Sequence, residues 1–141
     1  MKNSVLVAAI LVLLVFVLIQ LVPIGQINFN PPVVSEPIWD SPKTRALVVT
    51  HCFDCHSNQT TWPWYSRIAP ARWLIAKDVQ QGRRVLNFSD WNHYPQPLSE
   101  MVDEVMQGGM PPAKYTIAHP RAAFSETTRA IFIDALGKTF K

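Results

Sequence analysis

Val5 to Val22 is an apolar run of 18 residues broken only by Gln20, more than the core of any domain built by a 141-residue chain could absorb. As a helix the run would span about 27 Å, close to the roughly 30 Å of bilayer hydrocarbon. It exits into Val22-Pro23-Ile24-Gly25, with none of the small-residue pattern that marks a cleavage site, so a retained signal anchor is expected over residues 1–22. Lys2 and the N-terminal amine precede the run, while residues 23–42 carry no Lys or Arg. The positive-inside bias then leaves the N-terminus in the cytoplasm and the rest of the chain outside it. The expected location is a bacterial inner membrane, crossed once, with the remaining domain in the periplasm.

Residues 23–40 hold Pro23, Pro31, Pro32 and Pro37 among Asn and Gln, which suggests an extended, stiff linker. A domain over residues 41–141 follows. Ser41-Pro42 has the form of an N-cap and N1 proline opening a helix through Thr50. Pro70 stands at a second start, with Trp73, Leu74, Ala76, Val79 and Gln80 running to Gly82. Leu98-Ser99 opens a third helix, stopped by Gly108-Gly109; Ser125-Glu126 caps a last one, ending at Gly137. No stretch alternates as a strand does, so the domain is expected to be all-α.

A domain of this size often needs a covalent or cofactor staple. The only two cysteines supply one reading of it: Cys52-Phe53-Asp54-Cys55-His56 has the spacing of c-type haem attachment. Two thiols add across the haem vinyl groups, and the adjacent histidine is placed under the iron. A zinc site would need a second ligand pair, a thioredoxin-like pair would sit beside a βαβ pattern, and a plain disulfide would leave His56 coincidental. One covalent haem c is therefore expected, with Cys52, Cys55 and His56 binding it and His56 on the metal. Met110, in Gly108-Gly109-Met110-Pro111-Pro112, is the leading sixth ligand, since the glycines allow close approach and the prolines stiffen the loop. His93 and His119 are its alternatives; Met101 and Met106 suit packing, and His51 sits too close to the attachment site to cross to the other face.

The formal charge of +3 comes with no basic run interleaved with aromatics, so nucleic acid is not an expected partner. Trp62, Trp64, Tyr65, Trp73 and Trp91 are many large rings for a small domain and suit an apolar shell around a flat cofactor. Trp64, Arg83 and Asn87 are the first candidates to bind its propionates.

Beyond the haem motif, the chain contains Thr61-Trp62-Pro63-Trp64-Tyr65-Ser66, Ile68-Ala69-Pro70, Trp73-Leu74, Asp78-Val79, Gly82-Arg83, Leu86-Asn87-Phe88-Ser89, Met110-Pro111-Pro112, Tyr115 and His119-Pro120. With these residues it resembles the small bacterial haem-binding domain family, single-haem relatives of the class I cytochromes c, over roughly residues 40–138. The resemblance implies covalent haem, a short helical fold and export. It further implies that helices near 42–51 and 126–137 cross beside the haem, that Met110 is the sixth ligand, and that the Pro70 carbonyl accepts from the proximal histidine. The helix before the motif lacks the glycine usual at that crossing, leaving Ala46, Leu47, Phe132 and Ile133 to form it.

The function expected is single-electron transfer between protein redox partners, without catalysis. Two alternatives stay open: a redox subunit fixed in a larger membrane complex, and a haem enzyme or gas sensor with an open iron position.

Overall fold

A computed structural model describes residues 2–23, 28–93 and 97–140. Its helices are α1 (Lys2–Gln20), α2 (Pro42–His51), α3 (Phe53–His56), α4 (Ala71–Val85), α5 (Leu98–Met106), α6 (Ala113–Ala118) and α7 (Glu126–Thr139), with short 3-10 turns at Trp64–Arg67 and Pro120–Ala122. Among the described residues there is no strand, only an isolated bridge between Ser35 and Asp90. The all-α expectation holds. The chain divides into two compact units, Met1–Phe29 with Trp62–Asp78, and Asn30–Thr61 with Val79–Lys141.

In the first unit, α1 is long and apolar enough to cross a membrane and buries none of its residues. Its one polar interruption has a structural use. The Gln20 side chain accepts from the Ala69 N–H at 2.9 Å and donates to the Ala69 carbonyl at 3.2 Å. Arg72 donates to the carbonyls of Gln20 and Val22, closing the end of α1 onto the segment before α4.

The second unit is organised by a cluster of Val48, Phe53, Leu86, Phe88, Val105, Phe132 and Leu136. Ser41 caps α2 by accepting from the Thr44 N–H, and Ser125 caps α7 by accepting from Thr128, as expected of both. Helices α2 and α7 pack on each other, α2 contributing no glycine. The buried His51 forms part of that contact, its ring 5.8 Å from Phe132 and its Nδ1 bonded to the Ala122 carbonyl. Gly108, at φ +75°, stops α5 as expected, because the left-handed region is free of penalty only for glycine.

Two expectations change. Residues 30–40 are not a free spacer: Val34 and Ser35 N–H groups bond to the Ser89 carbonyl, and Asn58 donates to Pro32. Arg45 grips Glu36 with two bonds of 2.7 and 2.8 Å, holding its carboxyl down at about 2. Trp39 joins the core against Phe88. Prolines withhold donors, but this segment's carbonyls and remaining N–H groups found partners in the domain. Second, neither Gly82 nor Gly137 ends its helix; α4 continues to Val85 and α7 to Thr139. Trp91 stacks on Phe88 and Phe140 in the second unit, and Trp62, Trp64 and Trp73 belong to the first.

Candidate haem site

The Cys52–His56 stretch forms a single helical turn at the end of α2. Cys52 N–H bonds to the Val48 carbonyl at 2.9 Å, and the Cys52 carbonyl accepts from Cys55 at 3.2 Å and His56 at 2.9 Å. One turn brings residues i and i+3 to the same side, so the thiols of Cys52 and Cys55 share a face with the imidazole close behind. No disulfide joins them. Burial, reinforced by Cys55, pushes the Cys52 thiol up to about 12, so it is held as a thiol.

His56 is oriented by backbone alone. Its Nδ1 lies 3.1 Å from the Gly82 carbonyl and 3.1 Å from the Leu86 carbonyl. Carbonyls only accept, so Nδ1 carries the proton and Nε2 keeps its lone pair, the form a metal-binding imidazole needs. Burial lowers the pKa of this histidine, which favours the neutral ring. The His56 carbonyl in turn accepts from Phe88 N–H at 2.8 Å. The acceptor role expected of Pro70 thus falls to Gly82 and Leu86. The Pro70 carbonyl is engaged elsewhere, accepting from Trp73 in the first turn of α4.

Gly82 explains why α4 can supply those carbonyls. A Cβ there would come within 2.5 Å of the Cys55 carbonyl oxygen. The helix backbone lies directly on the attachment turn, and only hydrogen fits between them.

Asp54, inside the motif, is a tether. It accepts from the Thr61 N–H at 2.8 Å and from the Tyr115 hydroxyl at 2.6 Å. Burial and the adjacent carboxylate hold the Tyr115 hydroxyl well above the usual phenol range, so it remains a donor. Tyr115 sits on α6, immediately beyond Met110-Pro111-Pro112, so this bond fastens the methionine loop to the attachment turn. Tyr115→Phe should cost about 1.5 kcal/mol, the low end for a hydrogen bond to a charged group in a half-buried setting. Chemical denaturation of holoprotein measures it; an unchanged midpoint would show the tether to be idle.

Met110 is 37% exposed, and its N–H is held by the Glu104 carbonyl at 3.1 Å. Its thioether is therefore not buried in the core, unlike the half-buried Met101, which packs against it. His93 is exposed and bonded to Asp90 at 2.6 Å; His119 stacks on Tyr115 with centroids 4.4 Å apart.

Of the expected propionate partners, Arg83 and Asn87 directly follow the two residues whose carbonyls hold His56, and both are engaged with protein groups. Arg83 bonds to the Ser57 carbonyl, Asn30 and Thr60, bracing the loop after His56. Asn87 is buried, donating to Asn58 and accepting from Ser89 N–H. Trp64 is 77% exposed, with Tyr65 edge-on beside it in the first unit. The Arg83 and Asn87 side chains thus each have protein partners. Sequence reasoning missed Asp54, Gly82, Leu86 and Tyr115 as site residues. Gly82 left a signal, a glycine inside a helical pattern; backbone acceptors leave none.

The donor set fits haem: two thiols on one turn, an imidazole with its outer nitrogen presented, and a backbone cradle that a side chain would fill. Among the described residues, no three His, Cys, Asp or Glu side chains gather as a bare-ion site would require. In comparison with known proteins, a family model described as a haem-binding domain matches residues 14–137. The match reaches further toward the N-terminus than residues 40–138, taking in the end of α1 and the segment that packs onto the domain. No curated protein and no solved structure matches the chain.

Proposed function

This chain belongs to the haem-binding domain family, and we propose that it is a membrane-anchored monohaem c-type cytochrome passing single electrons outside the cytoplasm. The observation that carries this reading is the pairing of His56 Nδ1 with two carbonyls, on the same turn as two cysteines that no disulfide joins. Each thiol would add S–H across one vinyl group, the sulfur bonding one carbon and the hydrogen going to the other. Bound haem supplies a one-electron iron couple; the chain's part is to fix His56 Nε2, exclude water and set the second axial ligand. Gly82 and Leu86 keep the ring from turning, and Phe53 and Phe88 supply apolar bulk behind the turn. An apolar surround and a thioether ligand both raise the reduction potential.

Met110 is the proposed sixth ligand, supported by its place outside the core and by the Tyr115–Asp54 tether beside its loop. With His56 and Met110 both holding the iron, the site would suit electron transfer between protein partners and not catalysis. The N-terminal helix, preceded by Lys2, is read as the single membrane crossing that leaves the haem on the periplasmic side. Absorption spectra of oxidised Met110→Ala provide the test. We expect the sulfur-to-iron band to vanish while the haem stays bound. An unchanged spectrum would remove Met110 and direct attention to His119.

A further inference from the structure

We infer that the segment from Trp62 to Lys77 lies in the headgroup interface of the membrane and docks the first unit on the lipid surface. The inference rests on the reading of α1 as a membrane-spanning helix. The Gln20 side chain, two residues before the apolar run ends, pairs with both the N–H and the carbonyl of Ala69. Arg72 bonds to the carbonyls of Gln20 and Val22 at the same level. Wherever α1 leaves the hydrocarbon, residues 69–72 are carried to that depth.

The surface presented there has the chemistry of the interface. Trp64 is 77% exposed, Leu74 59% and Ile68 37%, and Leu21, on the emerging chain, is 74% exposed. Large exposed apolar side chains are costly facing water, whereas indole and phenol rings favour the headgroup layer. The charge fits too. Residues 62–78 carry Arg67, Arg72 and Lys77 against Asp78 alone, a balance attractive to anionic headgroups. Part of the backbone polarity is met locally, Ser66 N–H bonding to Pro63, Ile68 to Tyr65, Arg72 to Ile68 and Trp73 to Pro70, while Gln20 meets both groups of Ala69. Paired backbone groups lower the cost of entering a water-poor layer. Gln20 is explained as well, as the polar residue that clamps the interfacial segment to the anchor.

The test uses the full-length reduced holoprotein, labelled with 5-fluorotryptophan, in nanodiscs of phosphatidylcholine and phosphatidylglycerol containing lipid nitroxide at the carbonyl end of the acyl chain. The conservative variant Trp64→Phe assigns the Trp64 resonance. We expect that resonance to broaden several-fold more than those of Trp39 and Trp91, which pack in the aromatic core of the second unit. Alkaline carbonate extraction of the native membrane is run alongside. If the chain stays in the membrane pellet but Trp64 broadens no more than Trp39 and Trp91, docking is overturned and the anchor stands. Release of the chain by carbonate would overturn the anchor and the docking together.

Discussion

Cys52→Ala combined with Cys55→Ala should abolish haem staining of the denatured polypeptide, while either single variant should keep a reduced signal. One helical turn carries both cysteines, and neither is engaged in a disulfide, so both are available to the same haem. Each thioether removes one vinyl group from conjugation with the porphyrin ring. A single variant therefore regains one vinyl, and its pyridine haemochrome band should move to longer wavelength. The double variant still has His56 with its Nδ1 fixed, so it should retain haem weakly and reversibly. Its thermal midpoint should then rise with added haem, as mass action requires of a ligand that binds only the folded state. Staining that survives denaturation in the double variant would refute covalent attachment.

Where side-chain chemistry fixes local structure, the chain was readable. Ser41 and Ser125 cap the helices they precede, Gly108 takes the left-handed turn after α5, and the apolar run forms one helix. Where the outcome depends on what another segment brings close, it was not. Arg83 looks like a free cation in the sequence, yet the folded chain delivers the Ser57 carbonyl, Thr60 and Asn30 to it. His56 needed an acceptor, and any of many carbonyls could have served; the path of α4 selected Gly82 and Leu86. Prolines at 31, 32 and 37 argued for a detached linker, but β-region backbone pairs as readily with a neighbouring segment as with water, and Ser89 supplied the acceptor. Glycine was read as a helix terminator at two positions where α4 and α7 run on, and the reasons differ between them.

That difference yields a prediction of sign. Alanine in place of glycine inside a helix ordinarily stabilises by about 0.5–1 kcal/mol, through helix propensity and a less flexible unfolded chain. At Gly137 nothing stands within 4 Å of the added Cβ, so Gly137→Ala should show that gain. At Gly82 the Cβ would lie 2.5 Å from the Cys55 carbonyl oxygen, 3.0 Å from its carbon and 3.1 Å from the Cys55 Cβ. The first two are backbone atoms on the attachment turn, and no rotamer change can withdraw them. Helix α4 must move instead, carrying the Gly82 and Leu86 carbonyls away from His56 Nδ1. Overpacking of this kind costs about 1–3 kcal/mol, enough to overcome the propensity gain and leave Gly82→Ala destabilised by about 1–2 kcal/mol. Loosening the ring should also weaken the iron bond to His56, so the variant should load less haem and show a changed spectrum. Denaturant midpoints of the two alanine variants, beside haem content per polypeptide, measure both effects. If Gly82→Ala is as stable and as fully loaded as Gly137→Ala, the close approach of α4 to the attachment turn is not what holds His56.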